Sequence, residues 1–247
     1  MMRGSWKIIS SIARSRALLF EESLPVPLVV QPMKSARVMR LRFDPGRQIL
    51  KLTCPARISR HKALAWAADQ KDWVDAQLAK VLPANPFAPG SLIPIEGRDV
   101  LIEWRERDGR TPRLDGDRLR CGGPYEGLAG RVESFLRRRA VELLSLETAE
   151  FAAAAGVAPK SVSVGDADTR WGSCSASGRI RYSWRLILAP PQARRFVVAH
   201  EVAHLVHLNH GRDFKALERQ LYGPGLAEAQ ALLRRVGPRL KRVGRGR

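Results

Sequence analysis

With 247 residues, 45% of them hydrophobic and 27% charged, the chain can fill one large or two small domains with a real core, which excludes wholesale disorder. The formal net charge is +19, but the excess is terminal: residues 1–62 carry 13 Lys/Arg against 3 Asp/Glu and residues 234–247 carry 7 against none, so attraction to nucleic acid would belong to the ends. Cys54, Cys121 and Cys174 are odd in number and form no CxxC pair, which excludes a disulfide scaffold and a zinc ribbon and fits a reducing cytoplasm.

Residues 1–24 read as a loosely ordered basic arm, or as an extension ahead of a start at Met33, with Ile8, Ile9, Ile12, Leu19 and Phe20 able to form one apolar helix face. No apolar run approaches the ~18 residues of a membrane span. Ala36–Phe43 and Gln48–Cys54 alternate as strands around the turn tripeptide Asp44-Pro45-Gly46, which predicts a β-hairpin. Ser59 is placed to cap a helical segment around Ala63–Leu82, and Pro83, Pro86 and Pro89 then form a linker. Short strands follow at Leu92–Ile95, Val100–Trp104 and Arg118–Cys121. A long helix is expected from Gly127 to Ala155, with Val132, Phe135, Leu136, Ala140, Leu143, Leu144 and Phe151 inward and Gly156 as its stop. Strands at Ser161–Val164, Arg170–Ser175 and Ile180–Leu188 lead to Pro190-Pro191, which suit the start of a helix over Gln192–Leu208. The class is therefore α+β: a β-rich domain over 25–125, a mainly helical domain with a small antiparallel sheet over 126–236, and a basic tail over 237–247.

Four of the five histidines lie between His200 and His210, so the chemistry is concentrated in that helix and just beyond it. The stretch opens with HExxH: His200 and His204 are one turn apart on one helix face, about 6 Å along the axis, close enough to share a zinc ion. Glu201 is the candidate general base for an activated water. A catalytic zinc needs a third protein ligand and one open position, and the candidates are His207, His210, Glu218 and Glu228. His207 is ~10.5 Å past His200 along a helix axis, too far to share the ion. His210 sits between Asn209 and Gly211, residues that stop a helix and turn the chain back; its ten-residue step from His200 matches metzincins, although His207 replaces their turn Gly and no Met-turn follows. Glu218 or Glu228 is the lesser, gluzincin-like choice. The remaining histidine, His61, reads as a surface residue between Arg60 and Lys62.

Thr169-Arg170-Trp171-Gly172-Ser173-Cys174, then Gly178-Arg179-Ile180-Arg181-Tyr182-Ser183-Trp184-Arg185-Leu186, Ala189-Pro190 and the run from His200 to Gly211 resemble the YgjP-like zinc metallopeptidases, relatives of the SprT-like group. The resemblance implies a cytoplasmic, zincin-like hydrolase of peptide or protein substrates, with zinc on His200, His204 and His210 and Glu201 as base. His210 to Phe214 is a His-Gly-x-x-Phe run shared with SprT-like enzymes. Arg170 and Tyr222 are possible accessory groups, Arg170 for a substrate carboxylate or phosphate or an oxyanion and Tyr222 for the transition state. The structural reading of Arg170–Cys174, a turn and strand bracing the motif helix with Trp171 and Cys174 expected to be buried, is favoured over a functional one. Two other classes use the same residues: a metal-dependent nucleotide phosphohydrolase (pyrophosphatase), against which the absence of a P-loop counts, and a nucleic-acid-associated protein with a structural zinc, which has no need of Glu201. The sequence gives no sign of oligomeric state.

Overall fold

A computed structural model describes residues 24–45, 47–78, 83–167 and 169–245, so the expected N-terminal arm lies outside the described residues. These residues fall into two compact units that divide at residues 81 and 82. The class is mixed, with ten strands in three small sheets and six α-helices among the described residues.

The first unit holds strands β1 (Leu28–Met33), β2 (Arg40–Asp44) and β3 (Ile49–Pro55) in the order β1-β3-β2, followed by helices α1 (Arg60–Ala68) and α2 (Lys71–Leu78). Strand β3 turns Leu50, Leu52 and Cys54 inward at period two, onto Ala63, Ala67 and Val74 of the helices. The predicted hairpin is β2–β3, and Asp44 closes it by accepting from the Arg47 amide at 3.1 Å and the Lys51 ammonium at 2.8 Å. Ser59 caps α1 through the Lys62 amide, but the single helix expected here is two: the Gln70 amide bonds to the Ala67 carbonyl three residues back, and the tightened turn ends α1. Strand β1 has no counterpart in the sequence reading, because Pro25, Pro27 and Pro32 argue against a strand. It is an edge strand paired only with β3, where a missing N–H is tolerated.

In the second unit β4 (Leu92–Ile95), β5 (Arg98–Trp104), β6 (Arg113–Asp115) and β7 (Arg118–Cys121) form a sheet in the order β4-β5-β7-β6. The sequence grouped these strands with the N-terminal β material. In the structure Ile93, Ile95, Val100, Ile102 and Leu119 share one core with the helices, so this sheet belongs to the unit that carries the HExxH motif. Its β4–β5 turn is fixed by Glu96 and Gly97, both at positive φ. A side chain at Gly97 would meet the Pro190 Cα at 2.8 Å, and the Glu96 carboxylate accepts from Arg139 at 2.9 Å, so the turn locks the entry to the motif helix against helix α3 (Leu128–Ala154).

Helix α3 buries Val132, Leu136, Ala140, Leu144 and Phe151 along one stripe, and Gly156, at φ +67°, ends it. Beyond it come β8 (Ser161–Gly165), β9 (Gly172–Cys174) and β10 (Arg179–Ser183), then helices α4 (Pro191–Val206), α5 (Arg212–Tyr222) and α6 (Leu226–Leu240). The expected antiparallel sheet is in fact mixed. A tight turn makes β9 and β10 an antiparallel hairpin, and that reversal leaves β10 parallel to β8 on its other side. The strand expected over Ile180–Leu188 also stops early, at Ser183. Trp184–Leu188 wind into a fully buried 3₁₀ turn, a conformation that a continuous apolar run does not distinguish from a buried strand.

The final residues depart furthest from expectation. Gly237–Leu240 are helical, Arg242 and Val243 are buried, and Val243 pairs with Asn85. Buried Arg185 ties them down: its Nη1 donates to the carbonyls of Leu240 and Val243, its Nε to Asp166 at 2.9 Å, and its guanidinium lies 4.4 Å from the Trp184 ring centroid. Arg245 takes the other Asp166 oxygen at 3.1 Å. Apolar burial of Val243 and satisfaction of Arg185, rather than solvated charge, decide where this segment goes. Deleting residues 241–247 should therefore cost about 2 kcal/mol or more in urea unfolding, where removal of a free tail would cost nothing. Burial pushes the Asp166 carboxyl up, but the bond from Arg185 and the two nearby arginines outweigh it and hold the group below its ordinary value. A carboxyl with a depressed folded value stabilises fully above its unfolded value of 3.8 and loses that contribution as pH falls through the folded one. The stability difference between wild type and Arg185→Met should thus be flat near neutrality and shrink below about pH 4.

Candidate metal centre

Helix α4 begins with Pro191 at its first position and buries Ala193, Phe196, Val197, Val198, Ala199, Val202 and Ala203, which leaves His200 and His204 on the half-buried face. It ends at Val206. His207 is extended, at φ −125° and ψ 110°, and the chain turns through Asn209, whose Oδ1 accepts from the Gly211 amide at 3.1 Å, into α5. That reversal brings His210 back over the helix. The Nε2 atoms of His204 and His210 are 3.2 Å apart and those of His210 and His200 are 3.3 Å apart, and the three ligand atoms lie within 4.8 Å of one another.

Hydrogen bonding behind the rings fixes their tautomers. His204 Nδ1 faces the His207 carbonyl oxygen at 3.1 Å, and a carbonyl only accepts, so the proton is on Nδ1. His200 Nδ1 donates likewise to the Glu218 carboxylate at 2.7 Å. Both Nε2 atoms then carry lone pairs toward one point, an arrangement that repels itself unless a cation fills it. Ligands ~2.0–2.1 Å from a tetrahedral ion are about 3.3 Å from one another, close to the two spacings here, so the residues fit a metal such as zinc. Among the described residues this is the one group of three His, Cys, Asp or Glu side chains able to hold an ion, and it includes none of Cys174, Glu218 and Glu228. Phe214, buried in the first turn of α5, forms the wall behind the triad, with its ring centroid 4.5–5.1 Å from all three imidazoles.

Glu201, next to the first ligand on the helix, is only 5% exposed, and burial pushes its carboxyl up to about 7 despite the opposing charges of His200 and Arg170. Strand β9 lies against it. A side chain at Gly172 would sit 2.6 Å from Glu201 Cγ and 2.7 Å from its Cδ, so only glycine lets the strand backbone reach the carboxylate. Cys174, half-buried on the same strand, has its thiol pushed up by burial and then by Glu201. Arg170 is exposed just before the strand, and Trp171 packs on Gly237 under the Lys241 ammonium. The Tyr222 hydroxyl donates to the Gln192 carbonyl at 3.2 Å, at the start of α4, and its ring meets Phe196 edge-on. His61 is exposed in the first unit.

A family model described as YgjP-like, metallopeptidase domain, matches residues 37–236, far beyond the 169–214 segment that carries the sequence motifs. The chain belongs to the YgjP-like metallopeptidase family. Nothing matches significantly among curated proteins or among solved structures. Membership implies a metal and a hydrolase acting on peptides or proteins, and does not favour the phosphohydrolase alternative. No helix among the described residues is long and apolar enough to cross a membrane.

The structure brings the three histidines predicted from the sequence together beside Glu201, and it adds contacts around them that the sequence left open. Glu218 was considered as a ligand, and the structure gives it the outer face of His200. His207, too far along the axis to share the ion and expected to pack or to hydrogen-bond behind a ligand, contributes its carbonyl to His204. Phe214 and Glu218 are four residues apart and so share one face of α5, the signal that could have paired them with the motif helix. Glu218→Ala should weaken zinc binding by about 10–100-fold in a chelator competition, as loss of such an orienting partner does, while Glu228→Ala leaves it unchanged.

Proposed function

We propose that this YgjP-like chain is a zinc-dependent metallopeptidase in which His200, His204 and His210 hold the ion and Glu201 is the general base. The observation that carries the reading is the convergence of three imidazole nitrogens beside a buried carboxylate. When bound, zinc supplies Lewis acidity, which acidifies water and polarises the scissile carbonyl.

Glu201 takes a proton from the attacking water and returns it to the leaving amine. A buried carboxyl raised toward neutrality suits both steps, because it is basic enough to accept the proton and acidic enough to give it back. The Gly172 backbone holds the carboxylate from behind and limits its rotation. Glu218 and the His207 carbonyl keep His200 and His204 in the tautomers that present Nε2. A zincin-like arrangement of α4 with its returning histidine follows from this reading, as does an intact base, which a purely structural zinc would not need.

Glu201→Gln should retain zinc at wild-type stoichiometry and lose at least about a hundredfold in peptide turnover. Wild-type-like hydrolysis by this variant would remove Glu201 from the mechanism. Gly172→Ala should also keep the metal yet reduce kcat about tenfold or more, because the new methyl displaces the carboxylate by a fraction of an ångström.

A further inference from the structure

Behind strand β9 lies a cavity of about 190 Å³ whose wall includes Gly165, Asp166, Arg170, Gly172, Arg181 and Ser183. We infer that this cavity is a substrate subsite that selects a peptide carboxylate next to the scissile bond, with Arg170 and Arg181 as its specificity-determining cations. The inference rests on the peptidase reading above and deepens it by naming the substrate class.

Charge decides the sign of the ligand. Arg170 and Arg181 are both exposed, line the cavity, and make no ion pair among the described residues. Asp166 is the opposing charge, but its two oxygens are taken by Arg185 at 2.9 Å and Arg245 at 3.1 Å, so it cannot neutralise the other two guanidinia. Arg181 is laid across the end of β8: a side chain at Gly165 would meet its Nη2 at 2.6 Å, so the glycine leaves the room the guanidinium occupies. A planar guanidinium matches a carboxylate with two parallel hydrogen bonds, which a lysine in the same place would not offer.

A second observation points to a polar ligand. Ser183 is only 2% exposed, lines the cavity, and its hydroxyl has no hydrogen-bond partner. A buried hydroxyl without a partner is unfavourable, and a rotation of the Ser183 side chain toward the cavity offers it to a carboxylate oxygen, which accepts. The size fits as well: the space equals about six waters at ~30 Å³ each, enough for a short acidic side chain with some of its solvent.

Position ties the cavity to the chemistry. Gly172 lines it and is the residue whose backbone lies against Glu201, and Arg170, two residues earlier in the chain, lines it too. A group held there is therefore within about a residue of the bond that Glu201 serves. The carboxylate has two possible sources, an Asp or Glu side chain within a chain or the free C-terminus of a short peptide.

The test is equilibrium binding of fluorescent, N-blocked peptides to full-length, zinc-loaded Glu201→Gln protein, which does not turn them over. Asp/Glu peptides with amidated ends are compared with their Asn/Gln counterparts, and a free-acid peptide without acidic side chains with its amide. An acidic-to-neutral affinity ratio of at least about 10 is expected from one of the two pairs, and that pair identifies the source. Arg181→Ser and Arg170→Ser should each bring the ratio toward 1, and Arg181→Glu should invert it in favour of Lys peptides. The ratio stays interpretable if a variant loses some folded protein. A wild-type ratio near 1, a ratio untouched by all three substitutions, or tighter binding of a nucleoside triphosphate than of any carboxylate peptide would overturn the proposal. Separate hydrolysis assays on wild-type protein keep the parent reading distinct: absence of peptide cleavage with an intact binding ratio counts against the peptidase and not against the cavity.

Discussion

A carboxylate buried to all but 5% of its surface is costly unless its surroundings compensate, and the motif unit is built around that of Glu201. It stands on α4 between apolar neighbours that anchor the helix, so it cannot swing into solvent without moving the core. Strand β9 meets it with bare backbone at Gly172, and the neighbouring His200 and Arg170 offset only part of the effect of burial. Desolvation wins, and the carboxyl ends near neutrality.

The metal centre depends on the same helix by a different route. Two of its ligands come from one helix face, which costs nothing beyond forming α4, whereas the third requires the chain to stop, reverse and return. Three contacts hold the return in place: the Asn209 cap on Gly211, the Phe214 ring against all three imidazoles, and Glu218 on His200. Helix α5 is thus a bracket for the ligand set as much as a packing element. Phe214 is its one buried residue, and Leu221 and Tyr222 at its far end pack against the same core.

Charge in this protein is more structured than its total suggests. The C-terminal arginines, which as a sequence read as a solvated basic tail, include Arg242 in a buried position and Arg245 on Asp166, while Arg185 uses its donors on the backbone of the same segment. Arg170 and Arg181, which make no ion pair among the described residues, line the cavity that includes Gly172 of β9.

The sequence by itself determined the pieces governed by local periodicity and local chemistry. HExxH fixes two imidazoles and a carboxylate because 3.6 residues per turn does so in any helix; Gly156 ends α3 and Asp44-Pro45 opens the β2–β3 turn for equally local reasons. Tertiary structure decided what depends on residues distant in the chain. Glu218 meets the outer nitrogen of His200 because α5 folds back over α4, Gly172 matters because β9 crosses a helix some thirty positions later, and the final residues are core because the Arg185 Nη1 finds its acceptors on their carbonyls. Such requirements leave no periodic trace. They are set by where two surfaces meet, and a string of residue types does not contain that distance.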